Sequence, residues 1–584
     1  MPESSYSRNS PRSVILSRMD VLSYNHIVDL DSKFDDEVQP NPFIDAAGEV
    51  DEVDEVDKVD DIDVIDESGD KKISKPFRRS LFPNVPPYIS FQSHDSQGQS
   101  NLPFEIRRHL KWRLSSITPL LVRRTLTNSG FRLFKKASDW SGVWGKHMKS
   151  TCFKIIKEYQ KVNHFPGTFQ IGRKDRLWRN LSRLMARHGR REFGFVPRTY
   201  VLPQDLRCFR QVWERTAGRE KWIVKPPASS RGTGIRVVHR WSQIPKKRPV
   251  VVQQYLSKPR LISGAKFDLR LYVLVTSFNP LRIYIYPEGL VRFASVKYVD
   301  DINFLSDRFM HLTNYSINKT SANYTNNDSA DSCTGHKWTL NTLWSYLERE
   351  NVDVPRLWSS MKDIVIKTMI SGESSINSLT RANTSNKYCC YELFGVDILL
   401  DENLKPWLLE VNISPSLQAS SALDIAVKGP LIQNVFNMAG YQLPSCISAT
   451  DAESLSKKYR VDSVVQDLRL YKTGLSYQER HKQSLFAHLT NRNEYLNDIL
   501  EDLTPDDVRQ LVLFEDELSQ VDRFETIFPT SESHEYFRYF DVPRYYNMLL
   551  DAWKYKNGND RDKGIARLRQ LCKVNYHLEQ QATF

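Results

Sequence analysis

The stretch from Tyr388 to Leu417, YCCYELFGVDILLDENLKPWLLEVNISPSL, constrains this chain more than any other. Two apolar runs, Phe394–Leu400 and Pro406–Val411, flank the polar turn residues Asp401, Glu402 and Asn403, which is the pattern of a β-hairpin. With the turn centred between Asn403 and Leu404, Asp397 falls opposite Glu410. Alternation along the strand then puts Asn412 on the same face. Three oxygen ligands on one rigid face suit a hard cation such as Mg2+. The competing reading is a pair of ordinary surface carboxylates, the commoner situation for isolated acids. Both acids interrupt strongly apolar runs, however, where an unpaired carboxylate is costly and a bound cation would remove that cost.

Charge is unevenly spread along the 584 residues. Residues 1–75 hold 8 basic against 20 acidic side chains, residues 451–584 hold 19 against 23, and residues 76–450 hold 55 against 27, a local net charge of +28. A cationic middle favours polyanions: nucleotides, nucleic acid, acidic membranes or acidic polypeptides. The seven cysteines form no CxxC pair, which fits a reducing compartment. The first twenty residues lack the apolar run of a secretory signal, and no segment is long and apolar enough to span a membrane.

Residues 1–100, with the repeat GEVDEVDEVDKVDDIDVIDESGD, read as a disordered acidic region, and order is expected from near Leu102. Arg107–Leu133 has helical spacing. Residues 101–200 are dense in Lys, Arg and aromatics and read as a small α/β domain. Next come Lys221–Lys225 and Arg236–His239, two short strands around PPASSRGTGI, a glycine-rich phosphate-covering flap or a plain hairpin turn. Lys225 would supply a point charge there. The run Pro249–Leu256 reads as a buried strand ending in a hinge. Lys266, Asp268 and Arg270 share one face of the following strand, with Arg292 on a neighbour, either a functional face or cross-strand salt bridges on a solvated one, and turns are expected at Asn279–Pro280 and at Glu288–Gly289. Helical spacing returns over Trp338–Glu348 and Pro355–Ile370, after which SGESSINSLTRANTSNK reads as a loop. Residues 446–584 read as a helical extension, in which Thr504, Pro505, Asp506 and Asp507 form an N-cap, a proline first turn and an acidic start.

Five segments, KPPASSRGTGI, QQYL, KFDLRLYVLV, HLTNYS and FGVDILLDENLKPWLLEVNISPSL, occurring in this order, resemble the tubulin tyrosine ligase-like family, nearest to its tubulin polyglutamylases, over roughly residues 140–445. The resemblance implies an α/β (α+β) ATP-grasp fold, with the central domain at 201–290 and the C-terminal ATP-grasp domain, carrying the metal hairpin, at 291–445. It also implies ATP and Mg2+ as cofactors. By motif, Lys225, Ser230, Arg231, Gly232, Gly234 and Ile235 would border the phosphates, and Gln253, Gln254, Tyr255 and Leu256 the adenine. Lys266 and Asp268 resemble a nucleotide-contacting pair, and Thr313 and Asn314 line the nucleotide. Arg270, Arg292 and Glu410 would be catalytic, and Asp397, Glu410 and Asn412 would be the metal ligands.

The implied activity is ATP-dependent ligation of free L-glutamate to a side-chain carboxylate in an acidic tubulin tail. Partners would be tubulin and microtubules, with no membrane and with nucleic acid bound only non-specifically. A monomer is expected, in the cytoplasm and cytoskeleton, including cilia or basal bodies. Alternatives are a glycine or tyrosine ligase of the same family, an ATP-grasp kinase, or a microtubule or nucleic-acid binding protein with a vestigial ATP site.

Overall fold

The computed structural model describes residues 77–96, 102–229, 231–327, 329–330, 332–489 and 491–579. The acidic repeat expected to be disordered, and Ser230, lie outside them. The described chain is mixed α/β, with strands gathered in four sheets.

Strands β1 (Phe77–Arg78) and β2 (Tyr88–Ile89) pair antiparallel, and Phe82, Tyr88, Ile89 and Phe91 are buried. Order therefore begins before Leu102. Single apolar residues scattered among prolines and serines carry no periodicity, and only their tertiary partners bury them. A parallel sheet follows in the order β4-β3-β5-β6, from β3 (Lys111–Arg113), β4 (Arg132–Phe134), β5 (Gly142–Val143) and β6 (Lys161–Val162). The continuous helix anticipated over Arg107–Leu133 is instead β3, a helix at Leu120–Asn128, and β4. Pro119 starts that helix, and Gly130, at φ 83°, turns the chain out of it.

An antiparallel sheet comprises β7 (Thr199–Leu202), β8 (Trp222–Lys225), β9 (Arg236–Val238) and β10 (Val250–Gln254), in the order β7-β10-β8-β9. The helix Leu206–Arg215 covers it, packing Phe209 and Val212 against Trp222 and Val252.

The central sheet contains β11 (Leu261–Ile262), β12 (Ala265–Phe278), β13 (Leu281–Phe293), β14 (Lys337–Thr339), β15 (Glu392–Leu400), β16 (Pro406–Asn412) and β17 (Glu525–Phe528). Its main order is β14-β13-β12-β15-β16, with β11 added to β12 and β17 to β13. The turn at Asn279–Pro280 falls where the sequence puts it. The second anticipated turn, at Glu288–Gly289, does not reverse the chain: β13 continues through it with a bulge, its partners stepping from Gly289–Leu271 to Ile285–Val273. Gly289 lies so close to β12 that a Cβ there would meet the Arg270 carbonyl oxygen at 2.4 Å. The Glu288 carboxylate accepts from the backbone N of Leu340 at 2.7 Å, so this polar pair serves a helix start rather than a turn.

The helix Val354–Asn383 continues through most of the serine-rich stretch expected to loop. Ser371, Gly372, Glu373 and Ile376 are buried in it, and Arg544 grips the Glu373 carboxylate at 2.8 and 3.0 Å. Tertiary partners outweigh the low intrinsic propensity of these residues. Beyond residue 445 the helices Pro505–Leu518, Tyr545–Asn557 and Arg561–Lys573 enclose a core around Val512, Phe514, Leu549 and Trp553. Thr504 caps the first of them, accepting from the backbone N of Asp507 at 3.2 Å. The extension is not helical throughout, since it contributes β17 to the central sheet. No helix among the described residues is long and apolar enough to cross a membrane.

Candidate functional site

The hairpin β15–β16 turns on Asp401, whose Oδ1 accepts from the backbone N of Asn403 (2.9 Å) and Lys405 (3.0 Å) while Oδ2 accepts from Trp407 Nε1 (2.9 Å). Near the turn the pairs are Leu400 with Pro406, Leu399 with Trp407 and Ile398 with Leu408. That register centres the turn on Asn403, half a residue earlier than the sequence suggests. A bulge next to Ile398 then adds one residue on β16, so Asp397 does pair with Glu410 and Gly395 with Asn412. Asp397, Glu410 and Asn412 consequently share a face. Asn412 Nδ2 lies 3.5 Å from both Asp397 Oδ2 and Glu410 Oε1.

On β12 and β13 the pairing sets Asp268 against Arg292 and, on the other side, Arg270 against Asp397. Arg270 donates to Asp397 from Nε (2.5 Å) and Nη2 (3.0 Å). Arg292 donates Nε to Asp268 Oδ1 (2.8 Å) and Nη2 to Asp397 Oδ2 (2.8 Å). All four side chains are largely buried. Burial by itself would raise the Asp397 carboxyl, but the two guanidiniums outweigh it and hold the group well below the usual carboxylate range. Asp268 therefore grips Arg292 rather than pairing with Lys266. The Lys266 ammonium instead donates to the Tyr255 hydroxyl at 3.1 Å, and Tyr255 meets His311 Nδ1 at 2.8 Å.

Between the β7–β10 sheet and the central sheet lies a cleft lined by Lys225, Ile235, Gln253, Gln254, Tyr255, Leu256, Lys266, Asp268, Thr313, Asn314, Asp397 and Glu410. Most of the residues singled out in the sequence thus meet in one place. The Lys225 ammonium donates to Gln253 Oε1 at 2.7 Å. Burial pushes Lys225 down to about 8, partly resisted by Glu410, and pushes Lys266 down to about 7 against the pull of Asp268. Two buried cations without a full complement of anions favour an anionic occupant.

Gly232 and Gly234, both at φ 72°, shape the flap. A Cβ on Gly232 would meet Ile317 Cδ1 at 2.5 Å and Asn314 Oδ1 at 2.8 Å, so the flap rests on the segment carrying Thr313 and Asn314. Arg231 does not line the cleft. It borders a neighbouring open groove with Thr233 and Arg308. Arg270, Arg292 and Asn412 stand behind the lining carboxylates.

The sequence reading missed Lys174. Its Nζ lies 2.9 Å from Glu410 Oε2 and donates to the Ser229 carbonyl at 3.0 Å, tying the hairpin to the flap. Nothing local separates Lys174 from the other basic residues of its helix. Pro197, Ile223, Leu399 and Leu409, which give the cleft apolar walls, were also missed: the last three read as ordinary strand residues, and Pro197 as part of the basic, aromatic-rich 101–200 segment. His311 lay inside a segment the sequence had singled out.

The donor set fits a hard cation. Its groups are two carboxylates and an amide whose oxygen and nitrogen ends are interchangeable by rotation. No three His, Cys, Asp or Glu side chains gather as a metal site among the described residues. A cation held here would complete its shell with phosphate oxygens and water, as Mg2+ does.

Residues 153–450 match the model of the tubulin-tyrosine ligase family, and the chain belongs to that family. It is similar to tubulin monoglutamylase TTLL4 of Homo sapiens, 48% identical over 515 residues that cover 88% of this chain and 43% of the relative. Tubulin polyglutamylase ttll-4 of Caenorhabditis elegans is 40% identical over 506 residues, 87% of this chain and 82% of the relative. Tubulin polyglutamylase TTLL5 of Mus musculus is 35% identical over 462 residues, 78% of this chain and 35% of the relative. The chain thus spans less than half the length of the human relative.

Proposed function

We propose that the chain is an ATP-dependent tubulin glutamate ligase of ATP-grasp architecture, with the β7–β10 sheet and the central sheet as the two grasping units; the boundaries that the sequence reading drew at 200 and 290 cut through β7 and β13. The observation that carries this reading is the convergence of Lys225, Lys266 and the Asp397–Glu410 hairpin in one cleft, with Arg270 and Arg292 braced behind it. The relatives' names supply the substrate class.

ATP supplies the phosphoryl group that turns an acceptor carboxylate into an electrophilic acyl phosphate, and Mg2+ offsets charge on the transferred group. Lys225 and Lys266 hold phosphate oxygens. Gln253 to Leu256 border the base, with Ile223, Leu399 and Leu409 as its apolar walls. Glu410, Asn412 and the outer lone pairs of Asp397 are the residues that would hold the cation. Asp268 and Asp397 fix the guanidiniums of Arg292 and Arg270 in advance, so negative charge developing nearby is met without reorganisation. The amino group of free glutamate then attacks the acyl carbon, forming the isopeptide C–N bond as the C–O bond to phosphate breaks, and inorganic phosphate and the amine proton leave. The acceptor is an acidic tubulin tail, the enzyme a monomer working on microtubules in the cytoplasm, including cilia or basal bodies, and nucleic acid binds only non-specifically.

The test incubates the protein with microtubules, ATP, Mg2+ and each candidate amino acid, then reads tail peptides by mass spectrometry. Gain of glutamyl residues is the expected result. Gain of glycine or tyrosine would overturn the donor, and a phosphorylated product without an amide would indicate a kinase.

A further inference from the structure

A second pocket, of about 40 Å3, lies away from the nucleotide cleft, where β6, the ends of β12 and β13 and the helix Pro505–Leu518 meet. It exceeds the 10–15 Å3 or so that one water needs. Three cations line it, Arg78, Lys161 and Arg282, against one carboxylate, Glu517. Arg282 is 2% exposed, and its Nε and Nη1 have no hydrogen-bond partner among the described residues. Its Nη2 lies 3.4 Å from Glu517 Oε2, and the guanidinium sits 4.4 Å over the Tyr388 ring. The other Glu517 oxygen already accepts from the hydroxyls of Thr276 (2.6 Å) and Tyr284 (2.5 Å). Lys161, also buried, donates to the Tyr388 carbonyl at 2.9 Å.

The surrounding hydroxyls donate elsewhere, and among the described residues none is placed to accept from the free Arg282 Nε–H and Nη1–H groups. Tyr88 donates to Asp516 at 2.9 Å and Tyr471 to Gln442 at 2.8 Å, while the Tyr388 hydroxyl donates to Gln510. Buried guanidinium N–H groups without acceptors, beside a second buried cation, are costly unless something negative joins them. Burial also pushes Lys161 down to about 8, and the Arg282 charge adds to that shift.

We propose that this cavity binds one small inorganic anion, chloride or phosphate, which accepts hydrogen bonds from Arg282 and Lys161 and fastens the C-terminal helices to the central sheet. Water could accept from the same donors but would leave the charge uncompensated. An anion does both.

The test uses the full chain, saturated with a non-hydrolysable ATP analogue and Mg2+ so that the nucleotide cleft does not respond. Chloride or phosphate is titrated into gluconate buffer at constant ionic strength while the melting temperature is followed. The expected result is a saturable rise of about 2 °C or more for at least one of the two anions, lost in Lys161→Gln and in Arg282→Gln. Should Arg282→Gln not fold, Lys161→Gln carries the comparison, together with anomalous diffraction from bromide-exchanged crystals. That map should show a peak within hydrogen-bond reach of both cations. A response that does not saturate, or that persists in Lys161→Gln, overturns the proposal, as does a map with no peak in the cavity. A peak without any effect in solution means an adventitious ion only, and overturns it equally.

Discussion

Glu410 and Asp397 face each other across the hairpin, yet they hold different things together. Glu410 is half-buried and pairs with Lys174, while Asp397 is buried and neutralises two guanidiniums. Glu410→Gln should therefore melt within about 1 kcal/mol of the parent while glutamate incorporation falls by at least about a hundredfold. Asp397→Asn should lose activity and also about 3 kcal/mol of stability, because Arg270 and Arg292 stay buried with less countercharge. Denaturation and activity measured on both variants check this, and equal stabilities would refute the distinction. The two cleft lysines give a pH prediction. Burial holds Lys225 at about 8 and Lys266 at about 7, whereas lysines of an unfolded chain titrate near about 10.4. Between about pH 7 and 10 the unfolded chain binds more protons, so these groups penalise the fold most below pH 7 and progressively less as pH rises. Bound phosphates favour the protonated forms. Nucleotide affinity should fall as pH rises from about 7 to 9, and binding should take up protons. Calorimetry in buffers of different ionisation enthalpy measures that uptake, and finding none at pH 8 would detach both lysines from the phosphates.

The flap is the element whose geometry leaves least freedom. Gly232 has a positive φ and also touches Asn314, so Gly232→Ala strains the backbone and lifts the flap from its support. The KM for ATP should rise about tenfold or more, with kcat less affected and a melting temperature lowered by only a few degrees, which steady-state kinetics and thermal denaturation would show. An unchanged KM would mean that the flap does not cover the nucleotide. The long helix Val354–Asn383 teaches a different lesson. Its second half has the composition of a loop and is helical because Ile376 and the Glu373–Arg544 pair are buried there.

For the whole molecule, the placement of the last third changes what truncation should do. β17 hydrogen-bonds to β13, Glu517 binds Arg282 of β13, and Arg544 binds Glu373 of the helix Val354–Asn383. A chain ending at Leu443 should therefore be insoluble or molten, rather than an active core with weakened substrate binding. A folded, nucleotide-binding truncation, judged by circular dichroism and calorimetry, would show the extension to be separable. The +28 carried by residues 76–450 acts at the same scale. Attraction between a cationic body and a disordered acidic tail is screened over about 8 Å at physiological salt. Microtubule modification should thus fall steeply with ionic strength and vanish when the tails are cleaved. Indifference to both would remove the acidic tail as acceptor.

The sequence by itself determined the hairpin, because alternation along a strand is a local rule and the apolar runs were long, but the acids face each other through the bulge beside Ile398, which the tertiary structure supplied. It also determined the Lys266–Arg270 face and the capped helix at Thr504, each written in a few adjacent residues. Only the tertiary structure decided the rest. Whether Arg107–Leu133 was one helix or strand, helix and strand depended on Pro119, Gly130 and the burial of Trp112, which periodicity alone does not weigh. Whether Glu288–Gly289 turned depended on how closely β12 approached. Lys174 became part of the site through a contact spanning 236 positions of chain, and Glu373 a partner of Arg544 through one spanning 171. Such pairings are chosen by packing and by the need to match buried charges, and no local pattern in the residues encodes them.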